Sequence, residues 1–308
     1  MSLTTTPERR SIVTGVAPER RRRRNARTAV ESYAFLSPTL ILLFVLMIVP
    51  IVMVIGYSFQ DNVILKKSSH FVGLSNYVEI LGNGDFWRAT ANTVVFCAAS
   101  VVAHLVLGLG FSMMLNSNLI GGLSRTIFRA LYVLPWLFTV AVIAVLWRML
   151  LDPNGVINYL LHTKTEWLAS PQLALGTVIF INIWAGYPFF MVSLLAGLQG
   201  IPADLHEAAA IDGAGPLQRF WNVTVPQLRP IIVSLVLLDF IWTSQQFALI
   251  WMTTGGGPIN VTEMLSTFTY KLAFAKYDFS MASTSAVLVL LMSMVLAVFY
   301  VRHQNKKD

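Results

Sequence analysis

The sequence predicts an all-α integral membrane protein with about six transmembrane helices. Hydrophobic residues make up 56% of its 308 residues and charged residues only 12%, whereas soluble domains contain about 25% charged residues. The mean hydropathy is +0.65. Long apolar stretches recur along the chain, and about 20 helical residues suffice to cross a hydrocarbon core of about 30 Å. Lipid is therefore the main solvent that we expect for this chain.

Six stretches have the length and composition of membrane spans. The first contains the apolar run from Phe35 to Tyr57. This run is too long for the core of a signal peptide and lacks a cleavage site of small residues, so we expect a retained helix. The predicted spans are residues 35–58, 92–115, 130–151, 174–198, 231–252 and 282–301.

The placement of Lys and Arg predicts the orientation of these spans. The formal net charge is +7, and 15 of the 22 Lys and Arg residues fall on the same side of the predicted membrane as the N-terminus. Because positive residues are enriched on the cytoplasmic side, we expect both termini to be cytoplasmic. The basic tail 1–34, with its run Arg20 to Arg24, then anchors the first helix and is compatible with binding to anionic lipid. We expect no nucleic-acid partner.

A polar loop at residues 199–230 interrupts the membrane region, which spans residues 35–301 and is followed by a short cytoplasmic tail, 302–308. Pro202 suits the first position of a helix, residues 203–212 favour helix, and Gly213 favours a stop. A second helix is predicted from Gly215-Pro216 to about Val225. We expect Pro226 and Pro230 to break or reset the chain before the fifth span.

The composition of this loop suits contact with a partner protein. Small side chains at Ala208 to Ala210 permit close approach, Glu207 and Asp212 supply negative charge, and Arg219 supplies positive charge. Two short helices of this kind form a knob that fits a cleft. An ordinary amphipathic cytoplasmic linker would have a similar composition, so the residues alone leave both interpretations open.

The loop contains a recognisable set of residues, namely Glu207-Ala208-Ala209, Asp212-Gly213-Ala214, Phe220, Val223, Val225-Pro226 and Pro230. With this set it resembles the EAA loop of binding-protein-dependent ABC importer permeases. Val223 and Val225 are mild departures from the usual Ile and Leu. Further segments, such as Trp184-Ala-Gly-Tyr-Pro-Phe and Thr254-Gly-Gly-Gly-Pro, resemble the carbohydrate-uptake branch, and within it the larger membrane subunit of maltose transporters.

This resemblance implies a type I ABC importer permease fold in a bacterial plasma (inner) membrane. It implies several partners: a second, homologous permease, two ATP-binding cassette ATPase subunits, an extracytoplasmic solute-binding protein and a sugar-like solute. Closure of the ATPase dimer around ATP would turn the pore from inward-facing to outward-facing. The implied ATPase-docking residues are Glu207, Ala208, Ala209, Asp212, Gly213 and Arg219.

The fifth predicted span contains candidates for a solute path. Asp239, Thr243 and Gln246 follow i, i+4, i+7 spacing and share one helix face, and polar groups at membrane depth are usually functional. Trp242 and Phe247 could supply aromatic faces for a sugar ring. The resemblance implies contact with solute for these three polar residues and for Gly186 and Phe189 on the fourth span. As an alternative, Asp239 pairs with a cation or lines an interhelical contact.

Several other functions are less consistent with the sequence. The chain has no phosphate-binding Gly-x4-Gly-Lys-Ser/Thr motif, so we expect a non-catalytic subunit without cofactor or metal. A glycerol-phosphate or polyol permease on the same scaffold is the nearest alternative. An ion-coupled secondary transporter would need several intramembrane carboxylates, of which only Asp239 is evident. An intramembrane enzyme would need a nucleophile and a base, and no such pair is recognisable.

Overall fold

The structure is a computed structural model in which residues 35–61, 63–64, 69–117 and 121–304 are described. The predicted N-terminal tail 1–34 and residues 305–308 lie outside this part. Every regular element among the described residues is a helix, apart from one isolated antiparallel bridge between Gln60 and Phe71. The all-α prediction is confirmed.

Twelve helices, named α1 to α12 in chain order, make up the described chain. Two of them, α1 and α9, contain a five-residue π-helical turn, at Phe44–Ile48 and Phe220–Thr224. The helices are α1 Phe35–Ser58, α2 Ser75–Leu81, α3 Gly84–Asn116, α4 Gly122–Leu137, α5 Val140–Leu150, α6 Val156–Leu161, α7 Ala174–Gln199, α8 Ala203–Ile211, α9 Pro216–Ser244, α10 Ala248–Thr253, α11 Leu265–Phe274 and α12 Phe279–Gln304.

Length and hydropathy identify the membrane-crossing helices in the described part of the chain. Four helices qualify by themselves, namely α1, α3, α7 and α9. The pair α4 and α5 qualifies as a fifth span if it is counted as one. The apolar part of α12, Phe279–Val295, is shorter than the others. Length and composition thus give four or five spans in the described part of the chain, with α12 as a shorter sixth candidate.

The chain divides into two units, residues 1–53 and 54–308. In the described part of the first unit, nearly all side chains of α1 are exposed, including Phe35 and Leu46. Such uniform apolar exposure suits a helix surrounded by lipid. The second unit contains α2 to α12 and the sites considered below.

Close contact between α3 and α7 forms the centre of the second unit. Gly108 on α3 lies directly against Phe190 and Met191 of α7, so that a Cβ added at this glycine would lie 3.0 Å from the Met191 amide nitrogen. Phe96 of α3 and Ile181 of α7 are fully buried in one apolar cluster. Membrane helices pack closely where small residues let their backbones approach.

The third predicted span is not one continuous helix. Residues 130–151 are divided between α4 and α5, which are bent by 99° relative to each other. Phe138 and Thr139 are extended between them, and the Thr139 hydroxyl accepts a 3.4 Å hydrogen bond from the Val142 amide at the start of α5. The polar cap stabilises a new helix start within an otherwise apolar segment.

The fifth span begins earlier than predicted and is not interrupted by its prolines. Helix α9 runs through Pro226 and Pro230 for 29 residues. The π-helical turn precedes Pro226. In it, the Val225 amide donates to the carbonyl of Phe220, five residues earlier, instead of to that of Trp221 as in an α-helix. Such a widened turn accommodates a missing proline donor without ending the helix. The helix ends at Ser244, and residues 248–253 form the separate helix α10.

Residues 60–91, between the first two predicted spans, also contain helix. Helix α2 lies within this range, and α3 already begins at Gly84. The Asn83 side chain accepts a 2.8 Å hydrogen bond from the Asp85 amide and so caps the start of α3. At the same end of α3, the Asn92 amide donates to the carbonyls of Asn260 and Glu263 at 3.3 and 3.0 Å.

Candidate functional site

One cavity of ≈ 280 Å³ brings together all the residues that the sequence analysis assigned to the solute path. Helices α3, α4, α5, α7 and α9 contribute to its wall, which is why the candidates from two separate spans meet. Its polar lining includes Asn182, which the sequence analysis did not select. The predicted residues in the lining are Gly186, Phe189, Asp239, Thr243 and Gln246.

Asp239 is buried at the wall of this cavity and makes side-chain hydrogen bonds through both oxygens. It is 8% exposed. Its Oδ2 lies 2.8 Å from Nδ1 of His104 on α3, and its Oδ1 accepts a 3.3 Å hydrogen bond from the Thr243 hydroxyl one helical turn later. Asp239 thus both lines the cavity and forms an interhelical contact, so the two alternatives considered for it do not exclude each other.

His104 is the main residue of the site that sequence reasoning missed. It is 1% exposed, and its second ring nitrogen, Nε2, lies 3.1 Å from the backbone carbonyl oxygen of Asn182 on α7. The imidazole therefore connects α3, α7 and α9. An ionisable residue in the middle of an apolar span is a functional candidate by itself, and this signal could have identified it.

The structure shows why position 186 needs a glycine, which the sequence did not reveal. A Cβ atom at this position would collide with the His104 ring at its Nε2 and Cε1 atoms. The glycine therefore makes room for the imidazole at the cavity wall. Its position in the lining follows from this close approach of α3 and α7.

Aromatic rings also line the cavity. The Phe189 ring lies 5.5 Å from that of Trp242 and 6.0 Å from that of Trp136, measured between centroids. Phe247, which we expected nearby, instead stacks on Trp251 at 5.6 Å and contacts Tyr270. The expectation for Phe247 is wrong because α9 ends at Ser244, so that residue 247 no longer continues the same helix face.

The cavity wall therefore combines hydrogen-bonding groups with aromatic rings. The Asn182 amide nitrogen is buried and has no hydrogen-bond partner among the described residues. Aromatic surfaces combined with a few convergent polar groups are typical of sites for small polar ligands.

The second candidate site is the loop between α7 and α9. Helix α8 spans Ala203–Ile211, and Pro202 is its N-cap instead of its first helical residue, a small correction to the prediction. Gly213 follows with φ +82°, a left-handed conformation that favours glycine. The Gly215 amide then donates a 2.9 Å hydrogen bond to the Gln218 side chain at the start of α9. The predicted helix, turn and helix are present.

The predicted docking residues lie mainly on the outside of this loop. Glu207, Ala208, Asp212 and Gly213 are exposed, whereas Ala209 and Arg219 are half-buried. Glu207 also lines a second cavity, of ≈ 630 Å³, between the loop and the ends of α3 and α7.

Three large apolar side chains beside them were missed by the sequence analysis. Ile211 is 86% exposed, Leu217 71% and Trp221 60%. Exposed apolar residues next to charged ones are typical of a protein interface. The helical period of 3.6 residues, applied to the two short helices of the loop, could have identified them.

The chain matches proteins of one family along most of its length. Residues 104–307 match the family described as binding-protein-dependent transport system inner membrane component. The trehalose/maltose transport system permease protein MalF of Thermococcus litoralis is 32% identical over 90% of this chain and 94% of its own length. The diacetylchitobiose uptake system permease protein DasB of Streptomyces coelicolor is 30% identical over 96% of this chain and 92% of its own length.

Solved structures support the same fold. A chain of a bacterial ABC transporter involved in the import of the acidic polysaccharide alginate superposes with a TM-score of 0.80 at 22% identity, covering 93% of this chain and 99% of the solved one. The alginate transporter in complex with its pentasaccharide-bound periplasmic protein gives a TM-score of 0.79 at 21% identity, covering 90% and 94%. At this identity the likeness concerns the fold.

Proposed function

Because the chain belongs to the family of binding-protein-dependent transport system inner membrane components, we propose that it is a permease subunit of an ATP-driven importer for a sugar or sugar-like solute. An extracytoplasmic binding protein delivers the solute, and this chain together with a second, homologous permease forms the pore. Relatives named for trehalose/maltose and diacetylchitobiose uptake support a saccharide as the solute.

The cavity next to Asp239 is the observation that carries the solute class. Sugar hydroxyls need several donors and acceptors, and sugar rings pack against aromatic faces. Asn182, Asp239, Thr243 and Gln246 supply the polar groups, and the rings of Trp136, Phe189 and Trp242 supply the faces. An uncharged polyol would find the same groups and is the second candidate.

Helix α8 and the turn at Gly213 are the proposed docking element for the ATPase. Their exposed charges and apolar side chains lie on a compact helical projection between two membrane helices, α7 and α9. ATP hydrolysis belongs to the partner subunits, and this chain converts their closure into movement of the pore. Two copies of the ATPase match the two permeases.

We propose that the chain lies in a bacterial inner membrane with α8 and both termini in the cytoplasm. The asymmetry of Lys and Arg supports this orientation, and it places the docking loop on the side of the membrane that contains ATP. Residues 69–83 then lie outside, where the binding protein delivers solute.

Uptake by reconstituted vesicles tests the proposed function. The complete complex is incorporated into liposomes, a set of radiolabelled saccharides and polyols is added with the binding protein, and ATP is supplied on the ATPase side. We expect uptake that requires both ATP and the binding protein and that continues when ion gradients are collapsed. Uptake driven by an ion gradient without ATP would instead identify a secondary transporter.

Reversal of one charge tests the docking element in the same vesicles. We expect Glu207→Lys to uncouple ATP hydrolysis from uptake, because it replaces an exposed acid at the proposed interface. Asp204→Lys is the matched control, since Asp204 is an exposed acid in the first turn of the same helix. If the Glu207 variant assembles and transports at the wild-type rate, the docking assignment is wrong.

A further inference from the structure

We infer that His104 and Asp239 form a charge-neutral pair that restricts the cavity to uncharged solutes, with His104 acting as the residue that positions the Asp239 carboxyl group. The inference rests on the proposed function, because it names the class of solute that the same cavity accepts. It concerns His104, which is buried at the cavity wall.

Hydrogen bonding determines the net charge of the pair. His104 Nδ1 lies 2.8 Å from Asp239 Oδ2 and Nε2 lies 3.1 Å from the Asn182 carbonyl oxygen, and a carbonyl oxygen can only accept. A neutral imidazole carries a single N–H, so with an ionised Asp239 one ring nitrogen would direct its lone pair at an acceptor.

Two arrangements of protons satisfy both contacts. In the first, His104 is an imidazolium that donates from both nitrogens to an ionised Asp239 and to Asn182. In the second, a protonated Asp239 donates to Nδ1, and a neutral His104 donates from Nε2. Both arrangements contain the same number of protons, and the pair has a net charge of zero in each.

The remainder of the lining contributes no charge. Among the described residues around the cavity, His104 and Asp239 are the only ones with an ionisable acid or base; the others are apolar, aromatic, amide or hydroxyl side chains. The lining therefore supplies no free cation to an anionic saccharide and no free carboxylate to a cationic one. Because burying an unpaired charge is costly, the lining favours uncharged solutes.

His104 also fixes where the carboxyl group points. The imidazole is held between α7 and α9, and Gly186 admits it to this position. Thr243 holds the other carboxyl oxygen from the same helix. The carboxyl group is thus oriented by contacts from two helices, and loss of the imidazole would leave Asp239 without its charge partner and held by Thr243 alone.

Tryptophan fluorescence of the complete detergent-purified complex, without the binding protein, measures solute binding to the cavity, because Trp136 and Trp242 line it. The uncharged probes are maltose, trehalose and diacetylchitobiose. The charged probes are chitobiose, the cationic deacetylated form of the last sugar, and an acidic alginate oligosaccharide. Trp242→Phe identifies the part of the signal that comes from the cavity.

We expect the wild-type complex to bind uncharged probes in preference to both charged ones. Asp239→Asn removes the acid. With His104 as the imidazolium the pair then becomes cationic, so the affinity for the alginate oligosaccharide relative to uncharged sugar should rise by about tenfold or more. His104→Gln keeps a donor for Asp239 but no cation, so the relative affinity for chitobiose should rise by about tenfold or more. His104→Ala should in addition weaken binding of the uncharged probes.

Ser100→Ala is the matched control, because Ser100 is buried one turn before His104 on the same helix and does not line the cavity. It should retain the wild-type preference. If uncharged sugars bind but both charge-changing variants keep the wild-type preference, the neutral-pair inference is overturned and the proposed function stands. If no probe changes the fluorescence of the wild-type complex, the assignment of this cavity as the solute site is contradicted, and the inference falls with it.

Discussion

At the residue scale, the most demanding contact is the one between His104 and Gly186. The imidazole lies where the glycine would carry a Cβ atom, and it links Asp239 to the backbone of Asn182. A single small residue thus permits a buried polar connection between three helices. Buried polar groups of this kind stabilise only while every member is paired.

We expect Gly186→Ala to displace His104 and weaken its bonds to Asp239 and Asn182. Leaving a buried polar group unpaired costs about 1–3 kcal/mol, so both solute uptake and thermal stability of the complex should fall. Gly176→Ala is the control on the same helix, because a Cβ there meets nothing within 4 Å. Equal uptake and melting temperature for the two variants would contradict the contact.

Sequence spacing identified part of this arrangement and could not identify the rest. The period of an α-helix places Asp239 and Thr243 on one face, and the structure joins them by a hydrogen bond. The same period does not tell which other helix faces them, so His104, which precedes Asp239 by 135 residues, was not connected with it. Close approach between distant helices depends on packing of the whole bundle.

At the element scale, the contact between α3 and α7 organises the second unit. Gly108 permits it, and Gly110 on the same helix is exposed, with nothing within 4 Å of a Cβ. We expect Gly108→Val to force these helices apart, at a cost of about 1–3 kcal/mol for overpacking, and Gly110→Val to be tolerated. The yield and melting temperature of the purified complex measure the difference; similar values would show that the helices do not meet there.

The turn between α8 and α9 requires glycine because of its backbone conformation and not because a side chain would clash there. Gly213 has φ +82°, and a Cβ there meets nothing within 4 Å. A left-handed conformation costs a residue with a Cβ about 1–2 kcal/mol, and a β-branched one more. We expect retention of the ATPase on the purified complex to fall in the order Gly213→Asn, Gly213→Ala, Gly213→Val. Equal retention by all of them would exclude a role for the turn conformation.

The helix boundaries show where sequence patterns reach their limit. Hydropathy does not reveal the break between α4 and α5, since the apolar run continues across it; the local signals are Pro135 and the Thr139 cap. Conversely, Pro226 and Pro230 suggest a break that the π-helical turn before them avoids. In both cases the outcome depends on local hydrogen bonding that composition does not encode, whereas the Gly213 turn follows directly from its residue type.

At the scale of the whole molecule, the orientation in the membrane determines which end meets ATP. The protein has one cysteine, Cys97, and it is buried, so introduced cysteines can be followed with low background. We expect Ser69→Cys to react with an impermeant thiol reagent from the outer face of intact cells. Asn222→Cys should react only after the cytoplasmic face is opened. The reverse pattern would overturn the proposed topology.

In the proposed importer, ATP at the α8 loop controls access of solute to the Asp239 cavity, and thiol access to the cavity tests this connection most directly. Gln246 lines the cavity, and Gln246→Cys is labelled in the complete complex in membranes with either face accessible. Without ATP we expect labelling from the cytoplasmic side. With trapped ATP we expect labelling from the outer side, and bound uncharged sugar should slow both reactions. Labelling that is the same with and without ATP would contradict coupling between the α8 loop and the cavity.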